Sequence, residues 1–188
     1  MPIKVLMDNG IEVYALLMDT VHAATNTQRV LDFGEESATL DNISLVKTGA
    51  AIATGEVIRS IEGKMDGFAA RVPTSDGSFA NLYFVVGCEN ELSAIQVNGI
   101  LESAAVDEKY FGRIAVIDAE NVSSKRHVVG RKESSLVISK RTRVLPLPFA
   151  LPGKKAYLVG LVSGYDNERG PAKDLALLTK HIGERCHY

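Results

Sequence analysis

The 188-residue chain has no tryptophan and only two cysteines, Cys88 and Cys186. Neither thiol stands in a CxxC or Cys/His ligand spacing, so a disulfide framework and a zinc site are both excluded, and a reducing, cytoplasmic setting is expected. No apolar stretch reaches the ~20 residues that a membrane-spanning helix requires. The opening "MPIKVLMDNG" lacks the charged-then-apolar pattern of a secretory signal. A net charge of -2 gives no overall attraction to nucleic acid or to an anionic membrane. No GxGxxG follows a strand, which argues against a Rossmann unit, and there is no internal repeat or low-complexity tract.

What is present suits a single domain over residues 1–188, since 46% hydrophobic and 23% charged content is enough for one well-buried core. "IEVYALLMDTVHA" (11–23) is apolar and β-branched and follows the turn signal Asn9-Gly10, which predicts a largely buried strand ending near His22. The ten residues before it read as the tail of a helix. "TGAAIATGEVIRSIEG" predicts a helix over 48–61 with Gly63 as its stop. "DGFAARVP" and "FANLYFVVG" flank the turn-rich "TSDGS" as two antiparallel strands, and "ELSAIQVNGILESAAV" has helical spacing.

"RIAVIDA", "NVSSKRHVV" and "SLVISKRTRVLPL" then read as three strands, followed by the breaker-rich "PLPFALPG" and the strand "KAYLVGLVSGY". "PAKDLALLTKHIGERC" closes as an amphipathic helix with Pro171 in its first turn. Long strands with few helices predict an α+β two-layer sandwich, a mixed but mostly antiparallel sheet with helices on one face.

Four stretches together resemble the C-terminal, catalytic domain of glyceraldehyde-3-phosphate dehydrogenase: "TVHAATNTQRVLD" (20–32), "KTGAAIATGEVIRSIEGKMDGFAARVPT" (47–74), "NVSS" (121–124) and "SGYDNERG" (163–170). The resemblance implies that His22 occupies the place of the base that activates a cysteine thiol. It implies that Thr25 and Arg71 bind a substrate phosphate, that Thr48 and Gly49 belong to a site for inorganic phosphate, and that Asn167 is the asparagine that holds a nicotinamide amide. The residue types suit those tasks. Imidazole exchanges protons near neutral pH, and hydroxyl, guanidinium and helix-terminal N–H groups all donate to anions.

The departures from the family pattern shape the functional expectation. By the resemblance, the nucleophilic cysteine and the dinucleotide-binding domain would both precede Met1, and neither is in this chain. The loop from Gln28 to Asn42 is short, with Ser37 where the family has a phosphate-binding arginine, and Pro171 follows the "YDNE" motif in place of tyrosine. Cys88 and Cys186 are not expected near His22. His22 is therefore read as a vestigial base and Asn167 as a vestigial cofactor contact, with no cofactor and no metal held by the chain.

Each residue also has a plainer reading. His22 could be a strand-end histidine held by hydrogen bonds, Thr48 and Gly49 a helix start, and Arg71 the partner of a carboxylate such as Asp66 or Asp76. Asn167 could belong to a capping turn. Residues 125–143 carry seven Lys/Arg against one acid, but no aromatic interleaves to stack bases, so a solvated face or subunit contact is expected there, not nucleic acid.

The expected function is a non-catalytic relative of the dehydrogenase domain that binds phosphate or a sugar phosphate, or acts in assembly or regulation, as a homo-oligomer joined through the open sheet face. The alternative is the catalytic half of a split dehydrogenase, with a partner chain supplying the NAD domain and the cysteine.

Overall fold

The computed structural model describes residues 1–24 and 42–185. Helix α1 (Pro2–Asp8) leads through the Asn9-Gly10 turn, where Gly10 has φ 81°, into strand β1 (Glu12–Ala23). The chain then forms β2 (Ser44–Lys47), α2 (Ala50–Val57), β3 (Met65–Val72), β4 (Ser78–Cys88), α3 (Ala94–Val106), β5 (Ile114–Ile117), β6 (Ser135–Ile138), β7 (Arg143–Leu151), β8 (Lys154–Tyr165) and α4 (Arg169–Arg185). The strands make one mixed sheet in the order β2-β3-β1-β4-β8-β6-β5, with β7 also paired to β8. The predicted α+β sandwich is the observed class.

Among the described residues, the parallel pairs are β1–β3 and β5–β6. The β1–β3 pair needs a crossover between its strands, and α2 lies in that connection. Its register also needs glycine, because any Cβ on Gly67 would collide with the carbonyl oxygen of Met18, its partner residue. On the far edge of β8 two strands share the ladder. β6 pairs near its end, at Ser163 and Gly164, and β7 pairs from Gly160 back to Lys154.

The core sits between one sheet face and helices α1 and α3. Val13, Leu16 and Met18 of β1 and Leu82, Phe84 and Val86 of β4 meet Ile3, Val5 and Leu6 of α1 and Val97, Leu101 and Ala104 of α3. The α3 set follows the spacing that puts side chains on one helix face, and Ser93 caps the helix by accepting from the Gln96 N–H. Asp8 pins the end of α1 to the loop after α3, accepting from Lys4, from Lys109 at 2.6 Å and from Tyr110. These donors hold its carboxyl well below the usual carboxylate range.

Several stretches differ from their sequence reading. β2 is not among the expected strands, the helix expected over 48–61 is α2 followed by a 3-10 turn at Arg59–Ile61, and most of the breaker-rich "PLPFALPG" belongs to strand β7. "NVSSKRHVV" is not a strand: Ser124–Val128 forms a single π-helical turn, in which Val128 is buried and packs close to Gly164, the residue whose missing Cβ makes room for it. "SLVISKRTRVLPL" is two strands, broken by a 3-10 turn at Ser139–Arg141 that lets β6 and β7 take different parts of β8. The basic residues of the run are thus spread over a π-helical turn, a loop, a 3-10 turn and the start of β7.

Helix α4 is tied down at its start, where Ser134 donates to Asp174 and Lys173 donates to the Gly112 carbonyl. Farther on, Leu175, Leu178 and Ile182 are more than half exposed, at 65%, 55% and 52%. Among the described residues no helix is long and apolar enough to cross a membrane.

The packing makes a direct prediction. Phe84→Ala, at a fully buried ring, should lower unfolding free energy by about 3–5 kcal/mol. Ile95→Ala, at a residue 84% exposed on α3, should change it by less than about 0.5 kcal/mol. Urea denaturation monitored by circular dichroism checks both, and equal effects would contradict this placement of the core.

Candidate functional site

The inward face of β1 changes character along its length. Val13, Leu16 and Met18 feed the core, and the same face then carries Thr20 and His22. The parallel register sets His22 beside Arg71 of β3, as it sets Thr20 beside Ala69. With Ala80 of β4, Tyr165 of β8 and the segment Lys47–Ala50, these residues line a cavity of about 380 Å³. Four of the sequence-predicted residues, His22, Thr48, Gly49 and Arg71, therefore share one concavity. Thr25 and Ser37 lie outside the described residues.

His22 is half-buried, and its ring meets that of Tyr165 edge-on, with centroids 6.1 Å apart at 78°. Nδ1 is 2.7 Å from the carbonyl oxygen of Ala23 and 2.5 Å from Nη1 of Arg71. Burial lowers the imidazole pKa from its ordinary value; the Ala23 carbonyl acts in the opposite sense, and the Arg71 charge adds to the lowering. The net effect favours the uncharged ring. With Nδ1 engaged, Nε2 is the nitrogen left for proton exchange.

Arg71 does not pair with the carboxylates that its plainer reading named. Asp66 accepts from the backbone N–H of Gly67, and Asp76 accepts from those of Gly77 and Asn167. Its donors go to His22 and, at 3.4 Å, to the Ala23 carbonyl. Thr48 and Gly49 do open a helix: Gly49 is the cap residue of α2, and Thr48 Oγ1 accepts from the Ala50 N–H at 3.2 Å. The helix-start reading and the cavity-lining position hold together.

Asn167 stands behind this cavity and does not line it. Its Oδ1 accepts from Ser78 Oγ at 2.7 Å, and the same Oγ accepts from the Ala23 N–H at 3.1 Å. Ser78 thus joins the residue after His22 to the turn after β8. It was not among the sequence candidates, although a signal was there: Ser78, Ala80, Leu82, Phe84 and Val86 occupy one face of β4 by strand alternation, and a hydroxyl on the apolar face of a strand requires partners.

Asp166 anchors the same turn, accepting from the N–H groups of Glu168, Arg169 and Gly130. Burial alone would raise its carboxyl pKa, but those three donors bring it below the ordinary value. The capping explanation of the Asp-Asn turn is therefore correct for Asp166.

Cys88, the one cysteine among the described residues, ends β4 opposite Lys155. It lies about nine residues beyond the Phe79–Val21 pair, roughly 30 Å along the strand, and is not a partner for His22. Cys186 lies outside the described residues. No group of His, Cys, Asp or Glu among the described residues is arranged to hold a metal ion.

Comparison with known proteins shows what the chain is similar to. Residues 1–167 match the family described as glyceraldehyde 3-phosphate dehydrogenase, C-terminal domain. The chain is 34% identical to a glyceraldehyde-3-phosphate dehydrogenase of Streptomyces coelicolor over 98% of its own length and 52% of the relative's. It is 30% identical to that of Haloarcula vallismortis over 97% and 52%, and 34% identical to that of Geobacillus stearothermophilus over 90% and 48%. The chain thus spans about half the length of these relatives.

Ser78→Ala should remove about 1–3 kcal/mol of stability, the cost of leaving the buried Ala23 N–H without its acceptor. Equilibrium urea unfolding measures it, and an unchanged midpoint would show that Ser78 is not the joint between the two segments.

Proposed function

The chain belongs to the glyceraldehyde 3-phosphate dehydrogenase C-terminal domain family, and from that membership we propose that these 188 residues form a phosphate-ligand-binding and assembly unit that carries no dehydrogenase chemistry of its own. The carrying observation is Arg71. It is a guanidinium on the wall of a cavity of about 380 Å³, beside His22 and the start of α2, with no carboxylate partner among the described residues. A fixed fork of N–H donors with no acid beside it among the described residues is suited to an anion. The resemblance adds phosphate, or a small sugar phosphate, as the class of ligand. The non-catalytic part is supported by the engagement of His22, whose Nδ1 is held by the Ala23 carbonyl and Arg71.

Isothermal titration with inorganic phosphate tests the binding part. The expected result is a weak single site that Arg71→Ala reduces at least ten-fold. Unaltered affinity in that variant would leave the cavity a purely structural feature.

Assembly is read from the face of the sheet opposite the helices. One cross-strand row there runs Arg143, Gly160, Tyr83, Leu17, Asp66, so it is basic at one end, apolar in the middle and acidic at the other. Leu17 and Tyr83 are 49% and 44% exposed, and Leu145 beside them 57%. A second copy related by a two-fold axis along the strands would set each Arg143 end over an Asp66 end and cover the apolar centre. Light scattering at micromolar concentration is expected to give a dimer or a larger even-numbered assembly, and Tyr83→Glu to give a monomer. A monomeric parent protein would contradict the proposal.

A second reading is favoured by one observation, the exposed Leu175, Leu178 and Ile182 of α4. Of these, Leu178 borders a cavity of about 400 Å³ together with Phe111 and Leu177, and a chain carrying an NAD domain and a cysteine would have an apolar surface to cover there. Under that reading His22 and Asn167 keep their ancestral tasks, and NAD reduction appears only when the second chain is added.

A further inference from the structure

At the end of β1 one donor faces two acceptors. Nη1 of Arg71 is 2.5 Å from Nδ1 of His22 and 3.4 Å from the Ala23 carbonyl oxygen, and these two acceptors are themselves 2.7 Å apart. A guanidinium keeps its protons at any ordinary pH, so a close Arg71 contact requires Nδ1 to present its lone pair, with the ring proton on Nε2. The Ala23 carbonyl then faces a lone pair and receives only the longer Arg71 contact. If Nδ1 carries a proton instead, the carbonyl gains a good donor, but that N–H points at the guanidinium. One ring nitrogen cannot serve both neighbours, so the site has two discrete hydrogen-bond arrangements.

Arg71 is the group whose position decides between them, and it is also the group to which the proposed function assigns the anion. Resting on that reading, we infer that Arg71 alternates between two partners, the Nδ1 of His22 in the empty cavity and the anion in the filled one, so that anion binding hands Nδ1 to the Ala23 carbonyl and makes His22 take up a proton. The proton comes from solvent and no covalent bond changes. The filled site then holds an imidazolium whose Nδ1–H donates to Ala23 and whose Nε2–H is free to donate into the cavity, with Arg71 as the second cation. The ligand class is a doubly charged oxyanion such as a phosphate monoester, because Arg71, the imidazolium and Lys47 together put more than one positive charge on the lining.

The charged and titratable groups around His22 support this direction. Arg71 faces it from β3, Tyr165 from β8, and Lys47 stands at the end of β2; β4 contributes Ala80, and no carboxylate lines the cavity among the described residues. Among the described groups the Ala23 carbonyl alone favours an imidazolium in the empty site. Burial and Arg71 both act against it, and an added dianion reverses the sign of the local field. His22 is in this account a second anion ligand, switched on by the first.

The test is an NMR titration of the His22 ring proton, assigned with His22→Gln, using sulfate as the probe because it stays doubly charged throughout. Without sulfate the midpoint should lie below ~6.5, the ordinary histidine value; Arg71→Met should raise it toward that value. Saturating sulfate should raise the wild-type midpoint by one unit or more. By linkage, sulfate would then bind about ten-fold tighter below both midpoints than above both. Arg71→Lys, which keeps the charge but not the fork, guards against a folding defect in the methionine variant and should bind sulfate with a smaller midpoint shift. Sulfate binding with an unmoved His22 midpoint would overturn the inference and leave the anion site standing. No sulfate binding in the wild type would overturn both, and an Arg71→Met midpoint equal to the wild type's would overturn the inference alone.

Discussion

His22 faces Arg71 because β1 and β3 run parallel in one register, and a slip of one residue would turn both side chains to the other face of the sheet. That register is enforced locally by Gly67, where a side chain would strike the Met18 carbonyl, and from the other side by the long antiparallel ladder with β4. The site is therefore a continuation of the core. The same inward rows that supply Leu16, Met18, Leu82 and Phe84 to the apolar interior deliver Thr20, His22, Ala69 and Ala80 at its edge. Polar chemistry begins where the helices stop covering the sheet.

Once imidazole and guanidinium are held together at a half-buried edge, their electrostatics follow. Burial and the neighbouring guanidinium both disfavour a charge on the imidazole, and no acid in the lining described offsets them. The arrangement is held from behind by hydrogen bonds with well-defined donors: Ser78 between Ala23 and Asn167, and Asp166 under three backbone N–H groups. These fix the ends of β1 and β8 relative to each other while leaving the front of the cavity to Arg71 and the start of α2. An anion is the natural complement of such a lining.

Much of this was legible in the sequence, for identifiable reasons. The alternation of β1 and β4, the turn glycines and the helical spacing of α3 are local signals, and the fold class followed from their order. Arg71 and His22 could be paired only through the family resemblance, since they are 49 residues apart and nothing local brings them together. Ser78 was missed because a serine at a strand start reads as turn chemistry until its partners, 55 and 89 residues away, are known. The run 121–129 was misread because β-branched residues there suggested a strand, whereas Val128 is used to fill the space beside Gly164. Tertiary packing overrode propensity at that point.

The most direct measurement of the central claim is a crystal structure of the protein grown with sulfate. The account predicts a sulfate in the cavity bounded by Arg71, Thr48 and Gly49, with the Arg71 guanidinium turned onto it and Nδ1 of His22 left to the Ala23 carbonyl. A cavity that holds no sulfate, with Arg71 still seated on His22, would contradict it.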